Sequence, residues 1–85
     1  MSVLTESRAA RRQALTKALA GAQYVVKDGN RHLYLAWWKG ERRLRVFAED
    51  GMEVSRVGLG RKRVTLARAE EKAQLTILSG KYPDF

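Results

Sequence analysis

Three features of the chain predict an α+β fold: a small three- to four-stranded antiparallel sheet with an N-terminal helix and a C-terminal helix packed on it. Apolar residues alternate at Leu33, Leu35 and Trp37, and again at Leu44, Val46, Val57 and Leu59. Two turn signals, Lys39-Gly40 and Asp50-Gly51, separate those runs. A segment with helical periodicity lies at each end. Alternation of period two marks half-buried strands, and short turns between such strands mark hairpins.

The first element is a helix over residues 5–20, TESRAARRQALTKALA, with Thr5 as its cap and Gly21 as its stop. Glu6 suits the positive end of the helix dipole. Leu15, Ala18, Leu19 and Ala22 make a narrow apolar stripe, and Arg8, Arg11, Arg12 and Lys17 lie mostly off it. Those cations read as a solvated face of a scaffold helix; a helix lying along a phosphate backbone is the alternative. A short strand, residues 23–27, follows and ends at Asp28, Gly29 and Asn30.

Tight hairpin turns at Lys39-Gly40 and Asp50-Gly51 predict the pairing. They set Leu35 opposite Leu44, Leu33 opposite Val46, Leu44 opposite Val57 and Arg45 opposite Arg56. Leu33, Leu35, Trp37, Leu44, Val46, Val57 and Leu59 then share one face, the core side. The last helix takes Thr65 as N-cap and runs to Ser79, with Gly80 closing it. Leu66, Ala69, Ala73 and Ile77, with Leu78 beside them, are expected to pack on that core face. The chain is therefore one domain: a basic N-terminal helix over 1–22, a sheet-plus-helix unit over 23–80, and a tail over 81–85.

Trp37 and Trp38 are adjacent, so in an extended strand they point to opposite faces. The outer face collects His32, Tyr34, Trp38, Arg43, Arg45, Phe47, Val54 and Arg56. Arginine binds phosphates and guanine edges, and flat rings contact sugars, thymine methyls or unstacked bases. Arg45 opposite Arg56 is an unfavourable pair in an isolated sheet, a cost that an overlying anion would remove. Burial of Trp38 beneath the N-terminal helix is the competing expectation.

Charge points the same way. Seventeen Lys and Arg against nine Asp and Glu give 85 residues a net charge of +8, which favours a polyanionic partner. There is no cysteine, and the one histidine, His32, has no second ligand beside it, so neither a metal site nor a cofactor is expected. Scattered acids such as Glu49, Asp50, Glu53, Glu70 and Glu71 are explained by turns and helical charge pairs, and no catalytic constellation emerges. The loop GLGRK, residues 58–62, lacks the spacing of a nucleotide-binding motif. With Arg61, Lys62 and Arg63 ahead of a helix N-terminus, it nevertheless suits a backbone phosphate. The longest apolar run, 33–38, is too short to span a bilayer, and the first residues do not read as a signal peptide, so a cytoplasmic location is expected.

The stretch from Asp28 to Pro83 resembles the N-terminal arm-type DNA-binding domain of phage and genomic-island tyrosine integrases. Asp28, Leu33 and Leu35, Leu59 and Gly60, Thr65 and Leu66, Ala69, Gly80 and Pro83 match that family's pattern in order. Departures are Arg61-Lys62 where the family usually has Tyr-Pro, and Ala69-Glu70 where it has Ala-Arg. The resemblance implies a non-catalytic module of a mobile element, in the host cytoplasm if phage-encoded, that sets its sheet against the major groove of duplex DNA. Tyr34, Trp38, Arg43, Arg45, Phe47, Arg56, Arg61, Lys62 and Arg63 are the candidate contacts. A recombinase catalytic domain does not fit in 85 residues, so the chain reads as either a fragment of an integrase or a free-standing protein. Two other readings remain: a double-stranded RNA-binding domain, from the helix–strands–helix order, and a small phage-type protein that binds and inhibits a host protein through the Tyr34–Trp38–Phe47 patch. Neither a membrane nor a small-molecule substrate is expected.

Overall fold

A computed structural model describes residues 3–80, with side chains described from Arg8 onward. The architecture is α+β: α1 (Val3–Ala18), β1 (Tyr24–Asp28), β2 (Leu33–Trp37), β3 (Arg43–Ala48), β4 (Glu53–Gly58) and α2 (Leu66–Ser79). The strands form one antiparallel meander in the order β1-β2-β3-β4. A single 3-10 turn, Gly29–Arg31, joins β1 to β2 and leaves His32 in the left-handed region at φ 55°.

The core lies between the sheet and α2. Leu35, Trp37, Leu44, Val46, Val57 and Leu59 are buried there with Ala69 and Ala73, and Leu33 and Ile77 pack at the margin. Small alanines on α2 let the helix approach the sheet closely, where larger side chains of the strands fill the space. Thr65 caps α2, its hydroxyl accepting from the Arg68 N–H at 3.2 Å. Gly80, at φ 63°, closes the helix by donating its N–H to the Thr76 and Ile77 carbonyls. The predicted packing of Leu66 and Leu78 is corrected: both are exposed, and the buried stripe runs through Ala69, Ala73 and Thr76 instead.

Two further expectations change. The first hairpin is wider than predicted, with Leu35 opposite Val46 and Leu33 opposite Ala48. The reason is a turn from Trp38 to Glu41, closed by Glu41 N–H to the Trp38 carbonyl at 3.0 Å, with Arg42 as an additional loop residue. The shift is two residues, so every side chain keeps its face. In the second hairpin the predicted pairs Leu44–Val57 and Arg45–Arg56 hold. Nearer the turn a register shift between Val46 and Phe47 brings Val54 against the core cluster rather than on the outer face.

α1 already spans Thr5, so Thr5 is not its cap; the side chains of Thr5 and Glu6 and the tail 81–85 lie outside the described residues. The C-terminal half of α1 lies against the outer face of the sheet. A Cβ on Gly51 would stand 2.7 Å from the Ala14 carbonyl, which shows how closely the helix backbone crosses the β3–β4 turn. Leu15, Ala18, Leu19 and Ala22, the predicted stripe, are all partly buried. None of the described helices is long and apolar enough to cross a membrane.

Candidate nucleic-acid interface

Strand alternation brings Arg43 and Arg45 to one face of β3, and antiparallel pairing sets Arg56 of β4 directly opposite Arg45. With Glu41 and Arg42 these arginines line a shallow depression of about 240 Å³ at the hairpin end of the sheet. Arg43 and Arg56 are exposed, and Arg45 is half-buried. The like-charge opposition of Arg45 and Arg56 needs no external anion, which corrects that expectation. Arg45 donates to both carboxylate oxygens of Glu41, its Nε at 3.1 Å from Oε2. Arg56 does the same with Glu53. The Glu53 hydrogen bond and then its charge raise the Arg56 guanidinium above its ordinary pKa, so it is a fixed cation at any working pH.

Arg42 links this cluster to the basic loop. Its Nη1 donates to the Arg61 carbonyl at 3.5 Å, and its own carbonyl accepts from Leu59 N–H at 3.0 Å. The loop carrying Arg61, Lys62 and Arg63, all exposed and just ahead of α2, is thereby anchored to the hairpin at Leu59 and Arg61. Sequence reasoning left Arg42 out of the candidate contacts. The signal was present in the run Arg42-Arg43, but using it required the true hairpin register.

The aromatic candidates separate from these cations. Phe47 is buried, at 5% exposure, and is withdrawn as a nucleic-acid contact. Its ring meets that of Trp38 edge to face, with centroids 5.8 Å apart. Trp38 is half-buried: its indole N–H donates to the Ala20 carbonyl at 2.9 Å, and Arg45 lies over its ring at 4.9 Å. Trp38 thus stands between the two expectations: it keeps its place on the outer face, half-buried, and is held by the chain just past α1 rather than beneath the helix itself. Tyr34 is half-buried at the far end of the face, in a crevice shared with Arg8, Arg11, Arg12, Leu15 and Glu49. His32 is exposed and pairs with Glu49, Nδ1 to Oε1 at 2.7 Å.

Among the described residues no cluster of three His, Cys, Asp or Glu side chains is arranged to hold a metal ion. No protein-family model matches the chain, and no curated protein or solved structure matches it significantly. What the arrangement can do is therefore read from its chemistry: fixed guanidiniums, two of them braced by carboxylates, with a lysine and loop amides beside them.

Proposed function

We propose that the chain is a non-catalytic DNA-binding module of a mobile element, acting in the cytoplasm and resembling the arm-type domain of tyrosine integrases. One observation carries the reading: the Arg42–Arg61 hydrogen bond joins two basic groups into one strip, from Arg43 and Arg56 to Arg61, Lys62 and Arg63. An extended run of cations can meet several phosphates of a nucleic-acid backbone, where a compact anion would engage only part of it. α1 and Trp38 cover part of the outer face, so engagement is by the hairpin end and the β3–β4 edge rather than by the flat of the sheet. Arg43 is free to reach a base edge there, while Arg45 and Arg56 bind as braced phosphate contacts.

Burial of Phe47 weakens the host-protein reading, because the aromatic patch it relied on is an internal packing contact. The double-stranded RNA reading shares the basic strip and is separated by experiment. Gel shifts with duplex DNA, double-stranded RNA and single strands at two salt concentrations are expected to rank duplex DNA first, with steep weakening at the higher salt. Arg43→Ala with Arg56→Ala should abolish the shift while the melting temperature hardly moves. Binding that ignores both salt and this double variant would sink the proposal.

A further inference from the structure

The crevice between α1 and the sheet holds a second concentration of charge, at the opposite end of the outer face from the hairpin arginines. It has a volume of about 440 Å³ and is lined by Arg8, Arg11, Arg12, Leu15, Tyr34 and Glu49. The three arginines sit at i, i+3 and i+4, so one face of α1 turns them together toward the sheet. Like charges at that spacing repel, and a helix with nothing to bind would be more stable without them. The one carboxylate in the crevice, Glu49, is already engaged by His32. Among the described residues no hydrogen bond or ion pair engages the side chains of Arg8, Arg11, Arg12 or Tyr34. The Tyr34 hydroxyl is thus an available donor beside three available guanidiniums.

We infer that this crevice is a second phosphate-binding site, taking backbone phosphates of the same duplex that the hairpin end engages; the inference rests on the duplex reading. Three planar guanidiniums and a phenol hydroxyl suit the oxygens of one or two phosphodiesters, and Leu15 gives the crevice an apolar wall against which a sugar can pack. Spacing supports a shared duplex. Along the strands Arg45 is two residues from Phe47, which pairs with Tyr34, and four from Glu49, so the two basic sites stand roughly 7–13 Å apart. That separation is of the order of the roughly 12 Å width of a major groove, so both sites can engage one duplex together. The close crossing of α1 at Gly51 fixes the helix where the crevice needs it. Arg11 and Arg12 lie within one helical turn of that crossing, and Arg8 one turn further toward the N-terminus.

The test is a fluorescence-anisotropy titration of a duplex of about 20 base pairs between about 50 and 200 mM salt. Wild type is compared with the combined Arg8→Ala, Arg11→Ala, Arg12→Ala variant and with Tyr34→Phe. Each phosphate contact contributes roughly 0.9 to the slope of log affinity against log salt, so losing this site of one or two phosphates should lower the slope by about 1 to 2. Tyr34→Phe should weaken binding by about threefold to tenfold, the effect of one hydrogen bond, with little change of slope. Wild-type binding with an unchanged slope in the triple variant would overturn the crevice site and leave the duplex reading standing. Should wild type bind no duplex even at the lowest salt, the duplex reading falls, and titration with pyrophosphate then decides on the crevice. Movement of the Arg8, Arg11 and Arg12 Nε–H resonances at millimolar pyrophosphate supports the site; resonances that stay still overturn it.

Discussion

Replacing Trp38 by alanine separates its two roles, as a surface ring and as the fastening of α1. The indole N–H to the Ala20 carbonyl, at 2.9 Å, is worth about 1 kcal/mol. The edge-to-face pair with Phe47 adds about 0.5–1.5 kcal/mol, and the Arg45 contact about 0.5–1 kcal/mol because it is partly solvated. Half-burial of so large a ring removes on the order of 100 Å² from water, about 2.5 kcal/mol at 25 cal/mol/Å². These contributions overlap, since Arg45 keeps its Glu41 partner, and a net loss of about 3 kcal/mol is expected. In a domain of ordinary stability, about 5–10 kcal/mol, that is a large fraction. Urea unfolding followed by far-ultraviolet circular dichroism gives the total, and amide exchange in residues 8–20 shows whether α1 loosens first. Trp38→Phe, which keeps a ring and loses the N–H, should give back most of the difference. A Trp38→Ala protein within about 0.5 kcal/mol of wild type, with unchanged exchange in α1, would refute the fastening role.

Trp37→Ala removes a side chain only 3% exposed, together with its N–H bond to the Glu41 carbonyl, and should cost about 3–5 kcal/mol by the same urea measurement. Gly51→Ala places a methyl into the α1 backbone at a residue whose φ is 83°; a loss of about 2 kcal/mol or more is expected in thermal melts. Thr65→Ala deletes the cap of α2 and should cost about 1 kcal/mol. Glu41→Gln releases Arg45 from its carboxylate while changing stability by about 1 kcal/mol or less, and on the proposed function it should tighten duplex binding several-fold at low salt.

Strand faces were legible in the sequence because alternation survives errors of register. The first hairpin is displaced by two residues from its prediction, yet Leu33, Leu35, Trp37, Leu44 and Val46 all keep their side. An error of one would have inverted the sheet. The caps of α2 were legible too, since Thr65 and Gly80 act through their own backbone neighbours. Less legible was where α1 docks. Its stripe of Leu15, Ala18, Leu19 and Ala22 announces that one side is covered but carries no mark of which sheet face covers it. Phe47 was misjudged for that reason alone, its strand parity being right. The Arg42–Arg61 link spans 19 residues and depends on two loop conformations, so no local pattern discloses it.

The register shift between Val46 and Phe47 bears on how the molecule behaves at high concentration. β4 is the last strand of the meander, and a straight terminal strand offers unpaired amides and carbonyls to any neighbouring chain. An irregularity of this kind bends and twists the ribbon, so a second molecule cannot lie along it in continuous pairing. Glu53 and Arg56, on the same strand, add charges that an incoming copy would have to bury. The feature that turns Val54 inward thus also blunts the open margin of the sheet, so that crowded copies of the protein are kept from zipping together strand to strand.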